Sequence, residues 1–212
     1  MTVVLQTRNT MEKYKGVKFK IRRVGEEFTF DHRLEILNAW IFTLGELGLA
    51  PVHPQGAYGN HSYRVSDQSF IITRTGMIPC RELRPQNFCL VSYDEKEEVF
   101  CIKGKHEPSS ECFLHHTIYH HLSGITTIMH GHSLLLNVHA GTLQIPQTDK
   151  EYPYGTQELA RSAKYLVEKE SSFFILKNHG FVATGSELNG TGIMVLRQYR
   201  RLLDLLLEES RP

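Results

Sequence analysis

The chain has 212 residues, a mass of 24.4 kDa and 41% hydrophobic residues, which is enough to form one substantial core. Its 24 basic and 23 acidic side chains nearly cancel, and the formal net charge of +1 argues against a dedicated nucleic-acid binder. No segment approaches the roughly 18 consecutive apolar residues that a membrane span requires. The N-terminus lacks a signal peptide's apolar core, and the four cysteines form no C-x-x-C pair, so we expect reduced thiols in a cytoplasmic protein.

The hydrophobic pattern predicts an N-terminal extension, residues 1–30, followed by an α/β domain. Basic and apolar side chains alternate around a turn at residues 15–30, which favours a small hairpin. From residue 31 onwards helix and strand patterns alternate, as is typical of a sheet covered by helices. The predicted helices are 31–48, 111–122, 157–169 and 190–208, and the predicted strands are 69–73, 88–93, 99–103, 126–132 and 172–177.

Two histidines lie at the end of the predicted strand 126–132. Residues two apart in a strand point to the same face, so His130 and His132 can present both imidazoles to one metal ion. The strand at 172–177 is followed by a third histidine, His179. Three histidines that leave one position open are typical of catalytic zinc, although imidazole also binds other divalent metals. Since the chain has 12 histidines, spacing alone leaves open that these three are unrelated.

Glu111 lies at the predicted start of the helix 111–122. Ser109 or Ser110 can cap this helix, with Glu111 in its first turn. Such a helix start turns backbone N–H groups and two hydroxyls toward an anion. The pattern also permits the plainer interpretation that Glu111 only complements the helix dipole.

Six short motifs follow one another along the chain: Gly59-Asn60-His61-Ser62, the segment Ile71–Met77, Pro108-Ser109-Ser110-Glu111, His130-x-His132-Ser133, the segment Tyr154–Leu159, and Leu176-x-Asn178-His179-Gly180. Similar motifs occur in the same order in the class II aldolase/adducin family, which the chain resembles over residues 31–208. The resemblance implies a single-domain, three-layer α/β/α fold with a largely antiparallel central sheet, over residues 31–212.

The resemblance also implies a role for each matching residue. His130, His132 and His179 would be the metal ligands, with zinc expected and another divalent metal as the alternative, and Glu111 would be the catalytic acid/base. His115 and Tyr119 match family positions and would support the site. The residues expected to hold the substrate phosphate are Asn60, Thr75, Gly76, Ser109 and Ser110.

The activity implied is that of a zinc-dependent aldehyde-lyase. Such an enzyme cleaves a phosphorylated ketose or related sugar by a retro-aldol reaction through a metal-stabilised enediolate. The expected partner is a small-molecule sugar phosphate, with no nucleic acid and no membrane. The resemblance further implies a ring-like homotetramer with active sites between subunits.

The segment between His132 and Gly155 departs from the family pattern because it is shorter than in fuculose-phosphate-type aldolases. Those enzymes carry a tyrosine proton donor in the missing part, so His139, Tyr152 and Tyr154 are candidate substitutes unless they have ordinary loop roles.

Two further positions differ from the family pattern. Arg74 stands where the family commonly has proline, and it could either add a guanidinium to the phosphate pocket or point to solvent. His61 replaces a small aliphatic residue, and we expect it to pack rather than to line the pocket.

Two other functions remain open at this stage. One is a sugar-phosphate dehydratase of the methylthioribulose-phosphate type, or an epimerase, on the same scaffold. Glu111 favours the aldolase or dehydratase branch, because the epimerases of this family generally carry aspartate there. The other is a non-catalytic adducin-like binding module, and the presence of all three histidines argues against it.

Overall fold

The computed structural model describes residues 16–54 and 56–211 as one mixed α/β domain. The strands are β1 (Lys20–Gly25), β2 (Val52–His53), β3 (Gly56–Ala57), β4 (Asn60–Ser66), β5 (Ser69–Thr73), β6 (Phe88–Asp94), β7 (Val99–Lys103), β8 (Thr127–Gly131), β9 (Phe173–Leu176) and β10 (Gly180–Gly185). The α-helices are α1 (Arg33–Glu46), α2 (Cys112–His121), α3 (Leu134–Val138), α4 (Gln157–Glu168) and α5 (Leu188–Glu209). Among these helices, none is long and apolar enough to cross a membrane.

An eight-stranded sheet forms the centre of the domain, in the order β1-β7-β6-β5-β4-β8-β10-β9. The edge strand β1 runs parallel to β7, and all the other neighbours in this sheet are antiparallel. His130 on β8 is paired with Asn60 on β4 and with Val182 on β10. The histidine therefore lies within the sheet, with a strand on each side.

Two apolar cores lie on opposite faces of this sheet. One core contains side chains from α1, α3 and α5, and the other contains side chains from α2 and α4. Alternation along β9 illustrates the division, since Phe173 and Ile175 belong to the first core while Phe174 and Leu176 belong to the second. Full burial of such a side chain contributes roughly 1.5–3 kcal/mol. The predicted three-layer α/β/α fold with a largely antiparallel sheet is confirmed.

The N-terminal hairpin predicted at residues 15–30 is wrong over the described part of that segment. Residues 16–30 contain one strand, β1, which joins the edge of the central sheet instead of folding back on itself. The apolar side chains of Phe19 and Ile21 pack against the core beneath α2, and the ring of Phe19 lies 4.6 Å from that of Phe100. Lys15 lies outside the described residues, and the division of the chain at residue 30 stays a prediction.

The start of α2 also differs from the prediction. The helix begins at Cys112, and Glu111 is its N-cap residue rather than part of its first turn. Neither serine caps it: the Ser109 hydroxyl accepts a hydrogen bond from the backbone N–H of Glu111, at 3.3 Å. The carboxylate of Glu111 is consequently free of the helix backbone.

Candidate metal centre

His130 has its orientation and its tautomer determined by the strand beside it. Its side chain is fully buried on β8, and its Nδ1 lies 2.7 Å from the backbone carbonyl oxygen of Phe181. A carbonyl oxygen only accepts hydrogen bonds, so Nδ1 must carry the proton. Nε2, the atom that faces the other two histidines, is therefore the nitrogen of His130 that can bind a metal ion once the ion has displaced any proton there.

The three histidines predicted as metal ligands meet at one point. Nε2 of His130 lies 3.1 Å from Nε2 of His132, and the ligand atoms of all three, including His179, lie within 4.8 Å of one another. A tetrahedral ion with bonds of about 2.0–2.1 Å separates its nitrogen ligands by a little over 3 Å. The cluster could therefore hold a metal ion with a position left open.

Backbone geometry at two glycines allows this convergence. A Cβ on Gly180 would collide with the carbonyl oxygen of Gly131 and would lie 2.9 Å from Cε1 of His130. A Cβ on Gly131 would lie 2.5 Å from the carbonyl oxygen of Leu49. The glycine that follows a histidine in each motif is thus required by close packing.

A side-chain contact holds the loop that carries His179. Asn178 adopts a left-handed conformation, with φ of 58°, and its backbone N–H donates to Oδ1 of Asn137 at 2.8 Å. Asparagine tolerates this conformation better than most residues. The turn between β9 and β10 therefore presents His179 toward β8.

Glu111, at the start of α2, lies against the histidine cluster. Its Oε2 is 3.0 Å from Nε2 of His130, its Oε1 is 3.2 Å from Nε2 of His179, and the residue is 4% exposed. Burial alone would raise the pKa of Glu111, but the imidazoles of His130 and His179 bring it well below its ordinary value. Glu111 is therefore a carboxylate, in the form that accepts a proton.

The pKa values of the two neighbouring strand-end histidines move in opposite directions. Burial lowers the pKa of His130, but the adjacent Glu111 outweighs burial and raises it above its ordinary value. The pKa of His132 falls well below its ordinary value, first because of burial and then because of His179 and His130. His132 is consequently neutral, the form in which imidazole binds a metal.

Four of the five residues predicted to hold phosphate lie on two turns that run side by side. The backbone N–H of Thr75 donates to the carbonyl oxygen of Glu107 at 3.0 Å, and the backbone N–H of Ser109 donates to the carbonyl oxygen of Thr73 at 3.0 Å. Gly76 has φ of 61°, and Ser109 and Ser110 are buried next to the N-terminus of α2.

Asn60, the fifth residue of the predicted phosphate set, contacts the catalytic candidate instead of the two turns. Its Nδ2 donates to Oε2 of Glu111 at 2.8 Å. Its Oδ1 lies 2.6 Å from His115, which supports the predicted location of His115 close to the site.

The structure also locates the two residues that depart from the family pattern. The guanidinium of Arg74 donates to Oδ1 of Asn87 at 3.0 Å and to the carbonyl oxygen of Thr75 at 2.9 Å, so it braces the turn. His61 is 2% exposed, and burial lowers its pKa to about 3, with His130 as a smaller cause. A neutral, buried His61 is a packing residue.

The candidate substitutes for the family tyrosine are engaged elsewhere. The hydroxyl of Tyr152 donates to Oδ1 of Asp149 at 2.9 Å, and the ring of Tyr154 lies under Nζ of Lys18 at 3.7 Å. His139 is the C-cap residue of α3. Within the part of the chain that the structure describes, none of the three forms a hydrogen bond with Glu111 or with the histidine cluster.

Sequence patterns missed several contacts of the centre and of the residues that surround it. The ring of Tyr58 stacks on the ring of His132 with a centroid distance of 5.0 Å, and Nδ2 of Asn178 donates to Oε2 of Glu151 at 3.0 Å. The hydroxyl of Ser62 lies 2.6 Å from Nδ1 of His115. No fixed spacing links Tyr58, Glu151 or Ser62 to the histidine motifs, so only the three-dimensional fold reveals their contacts.

The fold and the histidine cluster together define a class of protein. Residues 50–194 match the family described as the Class II Aldolase and Adducin N-terminal domain, and the chain belongs to this family. An L-fuculose phosphate aldolase from Haemophilus influenzae is 30% identical over 157 residues, which cover 64% of this chain and 66% of that protein. The chain thus spans just under two thirds of that relative's length.

Two further proteins support the assignment at different levels. An L-fuculose phosphate aldolase from Methanococcus maripaludis is 31% identical over 147 residues, covering 63% of this chain and 76% of that protein. The solved structure of an L-fuculose 1-phosphate aldolase has a TM-score of 0.67 at 22% identity, covering 87% of this chain and 90% of that one. The structural likeness concerns the fold alone.

Proposed function

We propose that this protein is a zinc-dependent aldehyde-lyase that cleaves a phosphorylated ketose by a retro-aldol reaction. One observation carries the proposal: the buried carboxylate of Glu111 lies 3.0 and 3.2 Å from Nε2 of His130 and His179, within a cluster of three histidines. A carboxylate beside an open metal position is the arrangement that proton transfer next to a Lewis acid needs.

His130, His132 and His179 would hold the ion. Neutral imidazoles suit Zn²⁺, and three nitrogen ligands leave room for the substrate, although another divalent metal is compatible with the same ligands. When bound, the ion supplies Lewis acidity that polarises the substrate's carbonyl group. The hydrogen bond from His130 to Phe181 supports this ligand role, because it directs the lone pair inward.

Glu111 would carry protons during the reaction. In the cleavage direction a base removes the proton of the hydroxyl on the far side of the scissile C–C bond, that carbon becomes an aldehyde, and the bonding electrons move toward the carbonyl. A proton is then returned to the carbon that held them. The low pKa of Glu111, which its histidine neighbours produce against the effect of burial, keeps the carboxylate ionised and so able to accept a proton, while it also makes Glu111 a weaker base than an ordinary glutamate.

Thr75, Gly76, Ser109 and Ser110 would bind the phosphate group. The backbone pairing between their two turns supports this role, because it brings the hydroxyl-bearing residues of both turns together next to the start of α2. The positive end of a helix dipole favours an anion. Arg74 would hold the first of these turns in shape.

The substrate we propose is a ketose 1-phosphate such as L-fuculose 1-phosphate, because the two curated relatives carry that activity in their names. We propose a cytoplasmic homotetramer as the working form. The direct test incubates the zinc-loaded protein with L-fuculose 1-phosphate and measures a three-carbon ketose phosphate and a three-carbon aldehyde. Absence of both products, with zinc bound, would refute this substrate assignment.

A second candidate is a sugar-phosphate dehydratase with the same metal and the same Glu111. The short segment between His132 and Gly155 favours it, since the part in which fuculose-phosphate-type aldolases carry their tyrosine proton donor is missing. A dehydratase does not need the family's tyrosine for C–C cleavage. Loss of water from methylthioribulose 1-phosphate without formation of an aldehyde would support it over the lyase.

A further inference from the structure

A buried series of hydrogen bonds extends from Glu111 away from the three histidines. Nδ2 of Asn60 donates to Oε2 of Glu111 at 2.8 Å, and Oδ1 of Asn60 lies 2.6 Å from Nε2 of His115. Nδ1 of His115 lies 2.6 Å from the hydroxyl of Ser62, which lies 2.8 Å from that of Tyr119. All five residues are at most 4% exposed, so these contacts are shielded from bulk water.

Chemistry fixes the direction in which every bond in this series donates. An ionised carboxylate only accepts, so Asn60 turns its NH₂ group to Glu111 and its carbonyl oxygen to His115. His115 must then carry its proton on Nε2. Burial lowers the pKa of His115 to about 3, so the ring is neutral and its Nδ1 accepts from Ser62.

The hydroxyl of Ser62 in turn accepts from the hydroxyl of Tyr119, which burial keeps protonated by raising its pKa. Each group therefore donates toward Glu111. The opposite direction would set Oδ1 of Asn60 against Oε2 of Glu111, and two acceptors at 2.8 Å repel unless one carries a proton.

We propose that His115, Ser62 and Tyr119 are positioning residues that hold the amide of Asn60 in one orientation. This orientation keeps Oε2 of Glu111 as a hydrogen-bond acceptor and leaves Oε1 to exchange protons with the substrate. Among the described residues, Oε1 has no hydrogen bond and only the contact with His179 at 3.2 Å. The inference rests on the proposed function of Glu111, and it gives Asn60 a role other than phosphate binding.

The first test determines the tautomer of His115 and needs no turnover. Long-range ¹⁵N–¹H correlation spectra of the full-length, zinc-loaded protein labelled with ¹⁵N-histidine locate the ring protons, and the signals missing from His115→Gln assign the residue. We expect a neutral ring protonated on Nε2, without change between about pH 6 and pH 8. A proton on Nδ1, or a charged ring, would overturn the proposal.

The second test separates positioning from mere packing. His115→Leu removes both hydrogen-bonding atoms, whereas His115→Gln keeps one donor and one acceptor. With L-fuculose 1-phosphate, we expect kcat of the zinc-loaded Leu variant to fall about 10- to 100-fold at unchanged KM and zinc content, and the Gln variant to recover most of the loss. The matched control is His116→Leu, which alters the next residue of α2, packed on Tyr93, and should retain wild-type kcat.

Thermal denaturation checks that each variant is folded. Should His115→Leu not fold, Tyr119→Phe removes one hydroxyl at the far end of the series, and we expect kcat to fall about 2- to 10-fold. A wild-type kcat in the folded Leu or Phe variant, or equal losses in the Leu and Gln variants, would contradict the proposal. A wild-type protein that does not cleave L-fuculose 1-phosphate would refute the proposed substrate, while the tautomer spectrum would still decide the inference.

Discussion

Oε2 of Glu111 lies 3.0 Å from Nε2 of His130, and the two side chains are 5% and 0% exposed. A buried pair of this kind is costly unless further hydrogen bonds satisfy it. The carbonyl oxygen of Phe181 accepts from the imidazole, and Asn60 donates to the carboxylate. The metal-free site therefore contains the carboxylate of Glu111 and a proton that it shares with the imidazole of His130. A divalent ion among the three histidines would take the place of the proton that this pair otherwise shares.

Glu111→Gln should separate metal binding from catalysis. Glutamine keeps the shape of the side chain but cannot carry the proton, so we expect kcat to fall by about 10²- to 10⁴-fold while zinc content stays unchanged. Steady-state kinetics of the zinc-saturated protein and elemental analysis provide the two measurements. Glu158→Gln, an exposed position in the first turn of α4, is the matched control. A Glu111→Gln enzyme with wild-type kcat would remove Glu111 from the mechanism.

Gly180→Ala should disturb the ligand cluster through packing alone. The new Cβ would collide with the carbonyl oxygen of Gly131 and press on His130, so we expect a loss of about 1–3 kcal/mol in the free energy of unfolding. We also expect weaker zinc binding. Urea denaturation and zinc titration test the two effects. Gly124→Ala is the control, because a Cβ there meets no atom within 4 Å, and equal stability of the two variants would refute the packing argument.

Tyr58 should support zinc binding through its ring and not through its hydroxyl. The ring stacks on His132 at a centroid distance of 5.0 Å, with an interplanar angle of 25°. We expect Tyr58→Leu to weaken zinc affinity about 10-fold, since residues that orient metal ligands contribute at this scale. Tyr58→Phe keeps the stack and should match the wild type in competition titrations with a chelator. If the Phe variant binds as weakly as the Leu variant, the stacking account is wrong.

His61 should make the stability of the protein depend on pH. Its pKa falls from 6.5 to about 3 in the folded state because of burial, so at intermediate pH the unfolded chain binds a proton that the folded protein excludes. Stability due to this residue is therefore complete above about pH 6.5 and is lost as pH falls, by up to about 1.4 kcal/mol per pH unit.

The variant His61→Val removes this titration and a buried Nδ1 that has no hydrogen-bond partner among the described residues. We expect its free energy of unfolding to fall less than that of the wild type between about pH 7 and pH 5. Other titrating groups, including Glu111 and His115, are common to both proteins and cancel in the comparison. Urea denaturation at each pH provides the values, and parallel pH dependences would show that His61 does not contribute.

The local sequence pattern correctly predicted those elements whose structure depends on one segment of the chain alone. Strands β5 and β7 have the bounds predicted from their apolar residues. The position of each histidine at or just beyond the end of a buried strand was also predicted from local pattern, but the family resemblance was needed to group the three histidines in one site. The three-layer fold followed from the family resemblance together with the alternation of helix and strand.

The features that the sequence pattern did not predict depend on contacts between segments that are far apart in the chain. Strand β4 (Asn60–Ser66) carries polar residues that resemble a turn, yet Asn60 and Ser62 are polar because they bond to Glu111 and His115. The N-terminal alternation suited a hairpin and an edge strand equally well, and the free edge of β7 determined the outcome. The stack of Tyr58 on His132 joins residues that no sequence spacing connects.

Metal content tests the central claim most directly. The full chain is reconstituted with zinc, freed of loosely bound metal by dialysis, and measured by elemental analysis beside His130→Ala and His139→Ala. The account predicts about one zinc ion per chain in the wild type and in His139→Ala, whose histidine lies outside the cluster, and none in His130→Ala. A wild-type chain that retains no metal, or a His130→Ala chain that retains as much as the wild type, would contradict the proposed metal centre.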